Sequence, residues 1–243
     1  MGTKWDSTLT AEGFDAYDDL PERVLGYSQV FRALRLDGPD VRRVLDYGCG
    51  PGKVAQRVVE NFAVSVVGVD ASPAMLEIAA RERSHPRIEY HHTPDARLPF
   101  LADGSIDAAM SCYVFISIGS LEIIRSIVTG VHRVLRPGAR YAILDTNPDA
   151  TGIEFSTFRS GDPGKEYAPG QQREVVLRLP DGSDFPLLDY YWPAETYEVL
   201  LREAGFGNIV TYRPVLGDVD PPGDGRWRNE DRYAPFLVTV GQR

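Results

Sequence analysis

The chain has 243 residues, 43% of them hydrophobic, which suits one globular core and is too little for two full-sized domains. Aspartate and glutamate number 35 against 26 lysines and arginines, so the net charge is −9. Because the basic residues are scattered, this charge would repel a phosphate backbone, and we expect no nucleic-acid partner. The longest apolar runs have the length of strands, so we expect no membrane partner.

The first 36 residues predict an N-terminal arm followed by a lid helix. Residues 1–26 are polar and acidic with isolated aromatic residues, which is typical of a loose arm or a short helix. Residues 27–36 carry apolar side chains at helical spacing, and Asp37-Gly38-Pro39 then ends the pattern.

From residue 42 onwards, strand and helix patterns alternate. The predicted strands are 44–46, 64–69, 88–91, 106–112 and 141–145, and the predicted helices are 53–61, 73–83 and 121–135. Ser72-Pro73 supplies an N-cap and a first-turn proline for the second of these helices. Such alternation implies right-handed crossovers and an open, mostly parallel sheet with helices on both faces.

The pattern changes after residue 146. Two alternating stretches at 174–179 and 185–190 flank Pro180-Asp181-Gly182, which predicts a β-hairpin. We interpret residues 147–193 as a substrate-side insertion over the sheet, within a single domain of residues 1–243. A helix at 193–204 and strands at 209–212 and 236–240 are predicted to complete the fold.

The most informative segment is Val44–Gly52, in which three glycines at alternating positions follow a buried strand and precede a helix. Glycine allows a tight turn and lets a ligand approach the backbone closely. Asp70, at the end of the second strand, can accept hydrogen bonds from both hydroxyls of a ribose. A dinucleotide fingerprint would need a third glycine at position 53, where Lys53 stands. The segment therefore disfavours a nicotinamide cofactor. The alternative interpretation is a turn that binds no ligand.

Five segments, in the same order, resemble the motifs of class I S-adenosylmethionine-dependent methyltransferases. They are Val44–Gly52, Asp70 and residues 94–100, 105–110 and 134–139. The resemblance implies an α/β, Rossmann-like fold with a seven-stranded, mostly parallel sheet. It implies the strand order 3-2-1-4-5-7-6 with strand seven antiparallel, and the β-hairpin insertion then follows strand five.

The same resemblance implies S-adenosyl-L-methionine as the cofactor and S-adenosyl-L-homocysteine as the product. It places Asp46 indirectly at the ammonium group, Asp70 on the ribose and Asp95 on the adenine amino group. The full set of expected cofactor contacts is Asp46, Gly48, Cys49, Gly50, Asp70, Ala71, Met75, Asp95, Ala96, Cys112 and Tyr113, with Tyr17 and Tyr27 as a lid.

Methyl transfer from a sulfonium is an in-line displacement with a good leaving group, so alignment supplies much of the acceleration. A base is needed only when the acceptor must lose its proton early. The candidate bases are Tyr113, Asp145 and His91, followed by His92 and His132. Each has an ordinary structural alternative, such as packing, capping or exposure to solvent.

The sequence predicts no metal site. His91 and His92 are adjacent, so on a strand they would point to opposite faces and could not bind one ion together. Cys112 stands where metal-dependent catechol-type methyltransferases carry an acid. Cys49 and Cys112 both lie in apolar contexts, and no apolar leader precedes them, which favours reduced thiols and a cytoplasmic protein.

Substrate choice is expected to lie in residues 1–35 and 147–193. Aromatic side chains there are predicted to cover the cofactor (Tyr17, Tyr27, Phe31) and to wall a pocket for a flat acceptor (Phe155, Phe158, Tyr167, Tyr190, Tyr191, Trp192). The insertion is similar to that of small-molecule methyltransferases of bacterial specialised metabolism, including enzymes that N-methylate toxoflavin-like heterocycles. We therefore expect methylation of an O or N atom of a small, aromatic or heterocyclic acceptor by a monomer or homodimer. A non-catalytic cofactor-binding or partner-binding module on the same fold is the alternative.

Overall fold

A computed structural model describes residues 3–219 and 225–243, and a seven-stranded sheet forms its centre. The strands are β1 (Arg43–Tyr47), β2 (Ser65–Asp70), β3 (Ile88–His92), β4 (Ile106–Cys112), β5 (Leu135–Thr146), β9 (Gly207–Tyr212) and β10 (Phe236–Gln242). They lie in the order β3-β2-β1-β4-β5-β10-β9, and β10 runs antiparallel to both of its neighbours. The predicted fold class and strand order are therefore confirmed.

The central strands are apolar on both faces because both faces are covered. Val44 and Val66 pack into one hydrophobic cluster, whereas the next residues along the same strands, Leu45 and Val67, pack into another. Helices α2 (Ser28–Leu34) and α3 (Lys53–Asn61) contribute to the first cluster. Helices α5 (Leu121–Val134) and α6 (Ala194–Glu203) contribute to the second.

Helix α4 (Pro73–Glu82) begins where the sequence predicts, because the Ser72 hydroxyl accepts a hydrogen bond from the Met75 amide at 3.2 Å. Helix α1 (Thr8–Ala16) packs against α4. It belongs to the arm, for which the sequence predicts a loose segment or a short helix. Residues Glu22–Tyr27 form a π-helical turn that leads directly into α2.

Strand β5 begins earlier than predicted. Helix α5 ends at Val134, and the chain enters the sheet at Leu135, which pairs with Ile106 of β4. Pro137-Gly138, which is typical of the end of a helix, lies within the strand instead, with Gly138 at φ +82°. Leu135 is fully buried, so its side chain holds the start of the strand against the core.

The insertion after β5 forms a second, antiparallel sheet of β6 (Phe158–Ser160), β7 (Gln172–Arg178) and β8 (Asp184–Tyr190). The predicted hairpin is present as β7 and β8, which pair from Gln172 opposite Tyr190 to Arg178 opposite Asp184. Strand β6 was not predicted. Within the two described ranges, no helix is both long enough and apolar enough to cross a membrane.

Candidate functional site

A cavity of about 1230 Å³ lies at the carboxyl ends of β1, β2 and β4. The N-terminal arm and the hairpin sheet also line it, so it is enclosed by the two segments that were expected to choose the substrate. In open α/β sheets, ligands bind at this edge. The volume exceeds the range of about 300–1000 Å³ that is usual for one small ligand, so the cavity has space beyond that of a single small ligand.

The glycine loop after β1 is held against β2 by its backbone. The amides of Gly48 and Cys49 both donate to the carbonyl of Val69, at 2.7 and 2.9 Å. Gly48 has φ +74°, and a Cβ atom there would clash with a methyl carbon of Val114. Gly50 has φ +52° and open space around the position of a Cβ atom, so a ligand can approach its backbone.

Asp70 is fixed by the backbone of two loops. Its carboxylate accepts hydrogen bonds from the amides of Gly50 and Ser72, both at 2.8 Å. Burial raises its pKa, and these amides oppose the rise. The contacts orient both carboxylate oxygens at the cavity wall and leave further lone pairs for the hydroxyls of a ligand.

Asp46 is a buried acid at the end of β1 that lines the cavity and has no hydrogen-bond partner for either carboxylate oxygen. Burial, followed by the nearby charge of Asp70, raises its pKa to about 7. Buried carboxylates are costly unless a cation or hydrogen-bond donor satisfies them. The arrangement therefore suits a ligand that brings a positive charge to this point.

The expected adenine-contacting residues divide into two groups. Ala71, Met75 and Ala96 line the cavity, and Ala96 has φ +59°, a conformation uncommon for residues other than glycine. Asp95 does not line it, because its side chain is 62% exposed and lies 3.9 Å from Arg97. Asp95 therefore lies outside the cavity, whereas the resemblance implies a position at the adenine amino group.

Cys112 and Tyr113, at the end of β4, both line the cavity. Tyr113 has φ +61°, and its ring packs edge-on against Tyr27 and Phe236, with centroids 6.3 and 5.7 Å away. Its hydroxyl is buried and has no partner. Burial raises the pKa of Tyr113 well above its ordinary value, so the phenol stays protonated and can donate a hydrogen bond but is a poor base.

The two other candidate bases, His91 and Asp145, do not line the cavity, so the structure does not bring either of them together with Tyr113 there. His91 lies on the edge strand β3 and stacks on Phe100, with ring centroids 4.3 Å apart. Asp145 is fully buried, and burial raises its pKa well above the ordinary range. Along β5, Asp145 shares the sheet face of Ile143, which packs toward α5 and α6.

The two other candidate histidines, His92 and His132, lie outside the cavity as well. His92 is exposed, with its Nε2 atom 3.0 Å from the carbonyl of Ala71. His132 packs against the ring of Phe206 at 4.9 Å. Exposure to solvent therefore accounts for His92, and ring packing accounts for His132.

The N-terminal arm is tied to the cofactor-loop side of the fold by basic residues of α3. Lys53 donates to the carbonyl of Tyr17 at 3.0 Å, and Arg57 pairs with Asp19 at 2.7 Å. The Arg57 guanidinium also lies over the ring of Tyr27, 5.3 Å from its centroid. Tyr17 and Tyr27 consequently line the cavity, whereas Phe31 packs on Phe62 away from it.

The predicted aromatic wall is only partly present. Phe158 and Tyr190 line the cavity, but Phe155, Tyr167, Tyr191 and Trp192 do not, which corrects the prediction for those four. Phe155 and Trp192 are buried in the core, and Tyr167 stacks on Tyr191. Aliphatic side chains of the hairpin sheet occupy the wall instead, namely Val175, Leu177, Leu187 and Leu188.

Glu22, which no sequence pattern singled out, is a buried acid in the cavity wall. The hydroxyl of Tyr17 donates to its Oε1 atom at 2.8 Å, while its Oε2 atom has no partner. Burial, followed by the charge of Asp19, raises the pKa of Glu22 to about 8. Glu22 lies in a polar, acidic stretch, which is typical of a solvated arm, so its burial could not be inferred.

The cavity wall is acidic. Among the described residues, its acids are Asp6, Asp19, Glu22, Asp46, Asp70 and Asp189, and its basic residues are Lys4 and Lys53. Arg57 pairs with Asp19, and Arg173 pairs with Asp189 at 2.8 Å. The charges of these two acids are therefore neutralised by arginines that do not line the cavity. Glu22 and Asp46 are only partly ionised near neutral pH, because burial raises their pKa values to about 8 and about 7, and a ligand with positive charge would favour their ionised forms.

The sequence profile of the methyltransferase domain family matches residues 44–138. The chain is 37% identical to an N-demethylindolmycin N-methyltransferase from Streptomyces griseus over 225 residues, which cover 91% of this chain and 94% of that protein. It is 32% identical to an O-methyltransferase from Aspergillus sclerotiorum over 221 residues, or 89% of this chain and 71% of that protein.

Among solved structures, an S-adenosylmethionine-dependent methyltransferase from Mesorhizobium loti has the same fold. Its TM-score is 0.58 at 20% identity, with 88% of this chain and 97% of that chain covered. Together with the relatives, this places the chain in the S-adenosylmethionine-dependent methyltransferases. The chain is thus an enzyme that uses S-adenosylmethionine and acts on small molecules, which confirms the predicted cofactor and disfavours a non-catalytic module.

Proposed function

We propose that the enzyme transfers a methyl group to a nitrogen atom of a small acceptor with an aromatic or heterocyclic ring. The observation that carries this proposal is the acceptor half of the cavity, where Leu177 and Leu187 of the hairpin sheet face the same space as Tyr27 and Tyr113. Apolar and aromatic walls with few polar groups suit a flat ring. Nitrogen as the acceptor atom is supported by the Streptomyces relative, which matches along nearly its whole length.

For the cofactor, we propose that Asp70 accepts hydrogen bonds from the ribose hydroxyls and that Asp46 faces the ammonium group. Both residues fit, because Asp70 is already oriented by two amides and Asp46 is a buried carboxylate without a partner. Gly48, Cys49, Gly50, Ala71, Met75, Ala96 and Cys112 would complete the cofactor contacts, since all of them line the cavity. S-adenosylmethionine supplies an electrophilic methyl group on a sulfonium.

The chain's own contribution to the reaction would be alignment and exclusion of water. The arm and the hairpin sheet close over the carboxyl ends of the strands, so an acceptor between Tyr113 and Leu177 is held against the cofactor half. Well-aligned reactants reach effective molarities of about 10⁵ M or more. The unpartnered hydroxyl of Tyr113 would orient a polar atom of the acceptor.

The proposed function is tested with radiolabelled S-adenosylmethionine and pairs of compounds that share one ring system but present an N–H or an O–H group. We expect transfer to N–H members of the panel and little transfer to their O–H counterparts. Transfer to O–H compounds alone would overturn the choice of nitrogen. Cofactor binding without any turnover would instead favour the non-catalytic module.

Cofactor affinity should fall as the pH falls from about 8 to about 6. Asp46 has a pKa of about 7 in the cofactor-free protein and must be ionised to pair with an ammonium group. The ionised fraction, and with it the affinity, should drop about tenfold over this range. Calorimetry with S-adenosylhomocysteine at several pH values measures the change. Asp46→Asn should bind more weakly with a flat pH profile, and an unchanged profile would assign the titration to another group.

We further infer that the enzyme acts as a cytoplasmic monomer or homodimer without a metal, a nucleic-acid partner or a membrane partner. Its net charge of −9 supports the absence of a nucleic-acid partner. The described residues contain no group of three or more His, Cys, Asp or Glu side chains that could hold a metal ion.

A further inference from the structure

We propose that Glu22 is the general base of the reaction and that its free Oε2 atom takes the proton from an N–H group of the acceptor. The proposal rests on the proposed function, because it assumes a nitrogen acceptor in the same cavity. It also narrows the acceptor to a nitrogen that carries a proton at the moment of methyl transfer.

The carboxylate of Glu22 is fixed by a short chain of hydroxyl groups. The Tyr17 hydroxyl donates to Oε1 at 2.8 Å, so the Thr157 hydroxyl, 2.6 Å from the Tyr17 oxygen, is the donor to Tyr17. Thr157 belongs to the insertion, whereas Tyr17 and Glu22 belong to the arm. The two variable segments therefore meet at this carboxylate and set its orientation.

The backbone at Glu22 is unusual too. Glu22 begins the π-helical turn Glu22–Tyr27, and π-helical turns frequently occur at functional sites. The side chain is only 6% exposed, yet it lines the cavity and keeps Oε2 without a partner. A buried carboxylate oxygen without a partner can accept a hydrogen bond from a donor that a ligand brings.

Among the buried acids that line the described part of the cavity, only Glu22 and Asp46 have an oxygen without a partner. Asp46 lies beneath the glycine loop, on the cofactor side. Asp189 is occupied by Arg173, and Asp19 by Arg57. Glu22 is therefore the buried acid that remains free on the side of the arm and the insertion.

The surroundings of Glu22 suit a base that works near neutral pH. Burial and the charge of Asp19 raise its pKa to about 8, while the Tyr17 hydrogen bond and the charge of Lys53 oppose the rise. Tyr27 and Tyr113 also interact with it, and burial keeps both of these phenols protonated. A base whose pKa lies near the operating pH is the most effective.

The step balances as follows. The acceptor nitrogen forms a bond to the methyl carbon, the bond between that carbon and sulfur breaks, and its electron pair remains on sulfur. The N–H proton moves to Oε2 of Glu22. It passes from Glu22 to water when the product leaves. No oxidant, reductant or further reactant is required.

The test compares Glu22→Gln with wild type on the fastest N–H acceptor of the panel and on a ring nitrogen without a proton, with quinoline as the probe. With the N–H acceptor, we expect kcat to fall about 10²- to 10³-fold, because general bases contribute about 10²- to 10⁴-fold. Transfer to quinoline needs no base and should keep the wild-type rate, whether that rate is high or negligible. Calorimetry should show the same Kd for S-adenosylhomocysteine in both proteins. The exposed variant Glu60→Gln is the matched control and should behave as wild type.

Tyr17→Phe tests the proposal even if Glu22→Gln folds poorly. Losing the Tyr17 hydrogen bond should raise the pKa of Glu22 further, so the acid limb of the pH profile of kcat/KM should move to higher pH. Near wild-type kcat in Glu22→Gln, or an unmoved limb in Tyr17→Phe, would overturn the assignment and leave the proposed function intact. Failure of wild type to methylate any N–H compound would overturn both.

Discussion

Replacing Asp70 by alanine should weaken binding of S-adenosylhomocysteine at least about 100-fold. Hydrogen bonds to a charged group contribute about 1.5–3 kcal/mol each, and the proposed pair of ribose hydroxyls would lose two of them. A loss of about 3 kcal/mol corresponds to somewhat more than a hundredfold in Kd. The replacement also frees the amides of Gly50 and Ser72, which loosens the glycine loop and adds to the loss. Isothermal calorimetry measures the change.

The matched control is Asp95→Ala, which removes an exposed carboxylate that lies outside the cavity. It should bind within about threefold of wild type, because exposed groups contribute little. Circular dichroism on both variants separates a loss of binding from a loss of folding. If folded Asp70→Ala bound with wild-type affinity, Asp70 would have no role in holding the ribose.

Replacing Arg173 by methionine should be among the most destabilising single changes in the insertion. Arg173 is 2% exposed and makes two hydrogen bonds to Asp189, at 2.8 and 3.0 Å, and one each to Thr146 and Thr151. Methionine would leave Asp189 buried without its partner, which costs about 3–5 kcal/mol. For a chain of this length, that corresponds to a drop in Tm on the order of 10 °C. Scanning calorimetry measures it.

Two further variants isolate the cause. Arg125→Met breaks the exposed pair with Glu203, whose side chains are 49% and 48% exposed, and should cost at most about 1 kcal/mol. The double change Arg173→Met with Asp189→Leu removes both buried charges and should recover much of the loss. Equal Tm values for Arg173→Met and Arg125→Met would show that the buried pair does not hold the insertion to the sheet.

The architecture of the central sheet could be predicted because its signals are local. The β-branched run at 64–69 corresponds to a strand buried on both faces, and Ser72-Pro73 marks the start of α4, where the structure has it. Strand β6 was missed because three residues are too few to display an alternating pattern. The start of β5 was misplaced because Pro137-Gly138 has the local chemistry of a helix end, whereas sheet pairing with β4 decides the conformation.

The site was predictable where backbone requirements dictate the residue type. Gly48 must adopt a positive φ beside Val114, so the glycine itself indicates the turn. Whether an acid is buried or exposed cannot be predicted in the same way. Asp145 and Glu22 both depend on tertiary packing, and Glu22 is buried by contacts with Tyr17 and, through it, with Thr157, 140 residues from Tyr17. No pattern along the arm contains that information.

The acidic wall of the cavity has a consequence for the end of each reaction cycle. S-adenosylmethionine carries a positive sulfonium, and its demethylated product carries a neutral sulfur. Asp46 and Glu22 are only partly ionised near neutral pH and gain negative charge beside a positive ligand, so the wall attracts the reactant more strongly than the spent cofactor, although both present the same ribose and adenine. Charge alone would thus promote exchange and limit inhibition by the product. This preference should be strongest in dilute buffer, because salt screens it.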